Sequence, residues 1–424
     1  MKEYAVDLHI HSLHSIGVSK NMTIPSLAMG AISKGIDLIG TGDATQPDWL
    51  KHLEKTLTEE DGLLSYNGVS FIPTVEIEDI ESIHHVVLLP DFESVKLLRS
   101  SIGKSSPNLN HEWGGRPRVN LGAESIAGMV RDAGGMIGPA HAFTPFRAVF
   151  REGKYDSIKA CYGSESTHIY FIELGLSADS EVADYIPELR DLSYITCSDA
   201  HSPSPDKLGR EFTKLLMKSP TYTEIRKSLM RSGGRQPSMN VGFNPKLGKY
   251  FLSFCSKCRR TLVVQDGDAS PSYDDENIYF HLQNASERKQ LLSDIGKRAI
   301  KCPHDGKKLR LGVRDRAKVL GELKSKKPKH RPPYLHMPPL LDMIQSALDA
   351  KSNKTKGVQS LYTEFLKAHG NETIVLTETS LTDLKKTHND LGRLIGMYRK
   401  GKVDYIPGGG GRYGQIINPL KSDQ

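Results

Sequence analysis

The chain has 424 residues, 57 Lys+Arg against 50 Asp+Glu for a net charge of +7, and 38% hydrophobic residues. That length suffices for two or three domains, and a mean hydropathy of -0.42 with no run of eighteen apolar residues excludes a membrane-spanning helix. Five cysteines, spaced for metal rather than for a disulfide framework, point to a reducing, cytoplasmic (nucleoid-associated) setting, and Met1-Lys2-Glu3-Tyr4 runs straight into the first strand with no room for a signal peptide.

In chain order, apolar strand-like runs end in metal-binding side chains. The first carries Asp7, His9 and His11. The next reaches Asp43, and Phe71 to Glu76 follows. Then come His84-His85 with the run to Leu89, the run Met136 to His141, a strand over 168–174, and Ser193 to His201. Alternation along a strand sends His9 and His11 the same way, and likewise Asp199 and His201. Helical patterns lie between them, at 26–32 and 124–130 for example. Seven strands alternating with helices over about 235 residues predict an α/β fold, one (β/α) barrel with its ligands gathered on a single rim. Adjacent His84 and His85 cannot both face that rim, and His85 is the choice. Asp7 is either a ligand or the partner that orients an imidazole. His14, His52, His111 and His168 read as surface or loop histidines.

The expected metal set is thus His9, His11, Asp43, Glu76, His85, His141, Asp199 and His201, with His9, His11, Glu76 and Asp199 as the catalytic core. Mixed imidazole and carboxylate ligands suit two or three divalent ions (Zn, Mn, Mg or Fe), the arrangement that hydrolyses phosphate esters. Asp199 is expected to bridge or anchor the ions.

A linker near 231–237 closes this unit, assigned to 1–235. Residues 240–320 are expected to form a small zinc-knuckle domain on Cys255, Cys258, Cys302 and Asp305, with His304 as a competing donor. The remainder, 321–424, reads as a mainly helical, basic, DNA-binding region. Charge supports the division: residues 1–235 carry -7 and 236–424 carry +14, densest from Lys324 to Arg331. Clustered cations mark a polyanion partner. The glycines at 408–411, beside Arg412 and Tyr413, are expected to approach a phosphate and stack on a base.

Further substrate contacts are expected from Phe143, Phe146 and Arg147 after the fifth strand, and from Glu173 to Ser177 as a pocket wall. The loop 100–120, with Trp113, Arg116 and Arg118, is another candidate DNA contact.

His9-Ile10-His11, Thr41-Gly42-Asp43, Glu76, His85, His141 and Asp199-Ala200-His201 resemble the motifs of the PHP phosphoesterase superfamily. The resemblance implies a distorted seven-stranded barrel with a trinuclear metal centre. The chain departs from that pattern at Ala44, where His is frequent, and at Ile16-Gly17, where an acid is usual. The order of barrel, Cys knuckles and Gly-rich tail, with the strings Val18 to Pro25, Ile172 to Asp179, Ser198 to Pro203 and Arg331-Pro332-Pro333-Tyr334, is similar to the endonuclease Q family. That resemblance implies a DNA repair enzyme acting on duplex DNA. It would nick the strand 5′ to a deaminated base (hypoxanthine, uracil or xanthine) or abasic site by attack of metal-activated hydroxide, leaving 3′-hydroxyl and 5′-phosphate ends. The alternatives are a small-molecule phosphoesterase resembling histidinol phosphatases and a non-catalytic DNA-binding scaffold. No sliding-clamp partner is expected, because the segment Gln415 to Leu420 lacks an aromatic pair.

Overall fold

A computed structural model describes residues 1–417, so that part of the clamp-motif segment, from Asn418 on, lies outside the described residues. Each of the seven expected strand regions forms a strand, but their pairing is mixed rather than all parallel. The strand Lys2–Asp7 lies in an eight-stranded sheet, parallel to Leu38–Gly40 and antiparallel to Phe212–Met217. Leu38–Gly40 continues in parallel to Val69–Ile72. The expected strand at 71–76 is split at Pro73, which has no N–H to give to a ladder. Val69–Ile72 stays in the large sheet, and Thr74–Glu78 opens a second, antiparallel sheet with His84–Leu88 and Met136–Pro139. Phe171–Glu173 and Ser193–Ile195 pair in parallel as a third sheet. The helices expected at 26–32 and 124–130 form as Ile24–Lys34 and Ala123–Asp132, but only the first crosses between parallel strands; it starts with Pro25 inside its first turn and stops at Gly35 in the left-handed region.

The large sheet does not stop at 235. Gln236–Gly242 pairs with Phe212–Met217, and Tyr334–His336 adds in parallel beyond it. The C-terminal region therefore completes a sheet begun by the first residues. Its five helices, from Leu340–Ala347 to Asn389–Arg399, share one continuous apolar cluster with the N-terminal unit. Lys34, 2% exposed, reaches Glu372 at 2.6 Å, and Glu372 also accepts from Leu340 N–H and Tyr362 OH. By contrast, the segment from Cys255 to Leu311 packs around an apolar cluster of its own. Among the described residues no helix is long and apolar enough to cross a membrane.

Arg331, at the end of the basic run, is no surface cation. It is buried, paired with Asp184 at 3.0 Å and stacked 3.2 Å from the centre of the Tyr194 ring.

Candidate metal centre

Two triads of candidate ligand atoms face one another, four residues buried and Asp199 and His141 partly exposed: His9, His11 and Asp199, and Glu76, His84 and His141. Glu76 joins them. Its Oε1 lies 2.8 Å from His84 Nδ1 and 3.0 Å from His141 Nε2, and its Oε2 lies 3.4 Å from His11 Nε2. Asp199 sits on the open side, its side chain 33% exposed, with Oδ1 3.2 Å from His11 Nε2. The bridging position expected for Asp199 is thus taken by Glu76.

The outer nitrogen of each of these imidazoles is held. His9 Nδ1 meets Glu173 at 2.8 Å, His11 Nδ1 meets Asp43 at 3.1 Å, His84 Nε2 meets Glu78 at 3.1 Å, and His141 Nδ1 meets the Thr144 hydroxyl at 3.2 Å. An outer carboxylate fixes the ring and its tautomer and leaves the inner nitrogen as a lone-pair donor. The inner Nε2 atoms of His9 and His11 are buried without a hydrogen-bond partner. Buried polar atoms normally find one, and two unpartnered imidazole nitrogens beside three carboxylate oxygens form a donor set that fits divalent metal.

Electrostatics agree. Burial opposes charge on His9, yet Glu173, Glu76 and Asp199 outweigh it and hold its pKa up at about 9. His11 is driven up in the same way, against burial, by Asp199 and Asp43. Burial also opposes ionisation of Glu76, but His84, His141 and His9 hold it well below the usual carboxylate range. The centre gathers negative charge that calls for cations. Three of its residues also have left-handed backbones, Asp43 (φ 49°), His141 (φ 30°) and Asp199 (φ 47°), a strain found at functional sites.

Several expected residues are placed differently. His85 points away, into a buried chain with Tyr162 OH at 2.7 Å and Asp79 at 3.2 Å, and its neighbour His84 faces the centre. The reason is direction: His84–Leu88 runs antiparallel to Thr74–Glu78, with Glu78 opposite His84, so the start of this strand, not its end, reaches the rim. Asp43 braces the far side of His11 and accepts from Ser12 N–H and hydroxyl at 2.7 Å. Asp7 pins backbone, accepting from Ser198 N–H and Gly209 N–H at 3.0 Å each. His201 is at the edge, its ring 4.8 Å from that of His11, with Nδ1 on the Asp199 carbonyl. Glu173 is not on a pocket surface but fully buried behind His9, where it also takes the His141 N–H at 3.0 Å; Ser177 is half-buried. Glu78 and Thr144 were missed, and only Glu78, two residues after Glu76 on one strand face, left a signal.

Beside the centre, Phe146, Tyr250, Phe254, Arg259 and Arg316 line a cleft of about 220 Å³, with Phe143 buried at its edge. Phe146 and Tyr250 meet edge to face at 6.2 Å, and Arg259 lies 5.7 Å over Phe254. Arg147 pairs with Glu78 at 3.2 Å.

Cys255, Cys258, Cys302 and Asp305 converge, with Cys255 Sγ 3.3 Å from Asp305 and Cys258 Sγ 3.8 Å from Cys302 Sγ. His304 packs on Tyr273 instead. The glycine tail is packed against protein. A side chain at Gly410 would strike the Arg259 carbonyl, one at Gly409 Thr261, and one at Gly408 the Gly248 carbonyl. Gly411 has open space around it, and Gly408, Gly409, Arg412 and Tyr413 line a cavity together with Arg314, Lys318 and Lys324. Arg412 pairs with Glu276, and Tyr413 lies exposed under Lys249.

Comparison with known proteins follows the same lines. Residues 339–402 match the family described as the MJ0043 C-terminal domain. The chain is 38% identical to the lesion-specific endonuclease PfuEndoQ from Pyrococcus furiosus, covering 99% of each chain at a TM-score of 0.84. It is 39% identical to an endonuclease Q solved with a 27-mer duplex substrate carrying an abasic lesion at the active site, covering 99% of this chain and 98% of that one at a TM-score of 0.82. The protein MJ0043 of Methanocaldococcus jannaschii is 37% identical over 281 residues, 65% of this chain; that match spans only 31% of the length of MJ0043. The protein YqxK of Bacillus subtilis is 27% identical across 98% of this chain and 100% of its own length.

Proposed function

The chain belongs to the endonuclease Q family, and we propose that it is a metal-dependent DNA repair endonuclease. It nicks duplex DNA on the 5′ side of an abasic site or deaminated base and leaves 3′-hydroxyl and 5′-phosphate ends. The observation that carries this reading is the pair of triads joined through Glu76, with the unpartnered Nε2 atoms of His9 and His11 between them. His9, His11, Glu76, His84, His141 and Asp199 would hold two or three divalent ions on a distorted PHP-type barrel. Such ions supply an activated water and stabilise charge on the attacking and leaving oxygens. The protein's own part is orientation. Glu173, Asp43, Glu78 and Thr144 keep four rings turned inward, and the exposed flank at Asp199 is where a backbone phosphate enters.

Lesion selection fits the aromatic cleft. It has room for one base, and Phe146 and Tyr250 offer edges and faces for it while Arg259 balances its phosphate. A deaminated base presents a carbonyl oxygen where the normal base has an amine. A site that donates to that oxygen leaves the amine unpaired and rejects it. The Cys255, Cys258, Cys302 and Asp305 cluster would hold one structural zinc and so stabilise the wall that carries Tyr250, Phe254 and Arg259.

The test is a set of end-labelled duplexes with one lesion each, incubated with metal-free and metal-titrated protein. Metal-dependent cuts at one fixed position 5′ to the lesion are expected. Cleavage of small phosphate esters without DNA nicking, insensitive to salt, would favour the phosphoesterase alternative instead.

A further inference from the structure

The segment 115–119 is pinned against the metal centre by backbone hydrogen bonds and one isolated bridge rather than lying as a loose surface loop. Glu78 N–H donates to Pro117 O at 3.0 Å and Val119 N–H to Glu78 O at 2.8 Å, so Arg118 bridges in parallel to Glu78. Asn108 clamps the other edge, donating to Arg116 O at 2.9 Å and accepting from Arg118 N–H at 2.8 Å. Gly115 lies directly on Asp43 and Ser15, where any Cβ would collide with the Asp43 carboxylate and the Ser15 hydroxyl. That close approach brings the next side chain over the centre. Arg116 Nη1 donates to Glu76 Oε2 at 2.8 Å, the oxygen nearest His11.

Among the described residues Arg116 is the one Lys or Arg paired with the bridging carboxylate; Arg147 pairs one position further out, with Glu78. Its side chain is 36% exposed, and Nε and Nη2 have no partner among the described residues. A planar guanidinium anchored by one nitrogen, with the others unpaired and the side chain partly exposed, is arranged to take a second oxyanion.

We infer that Arg116 is a catalytic residue that binds a non-bridging oxygen of the scissile phosphodiester, held ready by Glu76 and the pinned 115–119 segment. This rests on the endonuclease reading above. In the hydrolysis, water oxygen bonds to phosphorus and the P–O3′ bond breaks. One water proton passes through solvent to the 3′-oxygen, and Arg116 keeps its protons throughout. Its charge opposes the negative charge that builds on the equatorial oxygens as the bonds exchange. A lysine could substitute only in part, because a point charge cannot hold Glu76 and phosphate in one plane.

The experiment compares full-length wild type, Arg116→Ala, Arg116→Gln and Arg116→Lys on an abasic duplex at saturating metal. It reads kcat, duplex Kd with its salt slope, bound metal and Tm. Expected are a kcat lower by about 100- to 1,000-fold in Ala and Gln, partial recovery in Lys, Kd within about threefold, and unchanged metal content and Tm. Added methylguanidinium should raise the Ala variant's kcat and leave wild type alone. Metal content falling in step with activity would overturn the inference, making Arg116 only a brace for Glu76. So would a weaker Kd and shallower salt slope with kcat intact, the mark of an ordinary backbone contact. A wild type that nicks no lesion duplex would instead remove the endonuclease reading, and this inference with it.

Discussion

Glu173→Gln isolates the role of an outer carboxylate. Glu173 is fully buried, and its Oε2 accepts from both His9 Nδ1 (2.8 Å) and His141 N–H (3.0 Å), while Oε1 has no partner. Glutamine has the same shape, and its carbonyl oxygen can take both donors. What disappears is the charge. A hydrogen bond to a charged group contributes about 1.5–3 kcal/mol against about 1 kcal/mol for a neutral one, so about 0.5–2 kcal/mol of His9 orientation and basicity is lost. At about 1.4 kcal/mol per tenfold, the metal dissociation constant should rise about 2- to 30-fold, and by nearer 100-fold in Glu173→Ala, which also frees the ring. Dialysis against graded chelator with metal analysis gives the affinities, and kcat at saturating metal should return to within about threefold of wild type. Unchanged metal affinity would refute the argument. Lost activity at full metal occupancy would do so too, and would return Glu173 to the lesion-pocket role that its sequence position suggested.

Three further outcomes follow from the packing. Burial pushes Glu211 up to about 8, partly offset by its bond from Phe243 N–H. The fold therefore favours the protonated acid, and the contribution of Glu211 to stability is full below pH 4.5 and declines until about pH 8, by at most about 5 kcal/mol. Glu211→Gln should flatten urea midpoints between pH 5 and 8.5, and a flat wild-type curve would contradict this. Lys34→Met leaves Glu372 charged and buried with only Leu340 N–H and Tyr362 OH, at a cost of about 3–5 kcal/mol. Calorimetry should show the loss, and adding Glu372→Gln should recover part of it; a loss under about 1 kcal/mol speaks against the pair. Cys255→Ser removes one corner of the Cys255, Cys258, Cys302 and Asp305 site, so bound zinc should fall by one per chain and protease should cut first between 255 and 311. Unchanged zinc content would count against the site.

Much of the centre was legible because strand periodicity needs no partner. His9 and His11 had to share a face, and Glu76, His141 and Asp199 had to arrive near it. The His84–His85 choice was not legible. Alternation says that the two rings diverge but not which way, and only the antiparallel pairing of His84–Leu88 with Thr74–Glu78 turns His84 inward. Pro73 was visible all along, yet the sequence does not say that the strand on each side of it joins a different sheet. The glycine tail was legible only in part, for a related reason. Glycine marks a close approach without saying to what, and here the neighbour is the chain's own backbone at Gly248 and Arg259.

By itself, then, the amino-acid order determined which side chains could share a face, where charge changes sign, and which cysteines could meet. Those properties depend on neighbours a few residues apart and on side-chain chemistry. The tertiary structure decided everything that turns on strand direction and on gaps of an ångström: Glu76 rather than Asp199 between the triads, and Asp43 and Glu173 behind the rings rather than among the ligands. A carboxylate that binds a metal and one that steadies its imidazole are the same residue in sequence, and only their distance from the inner nitrogens tells them apart.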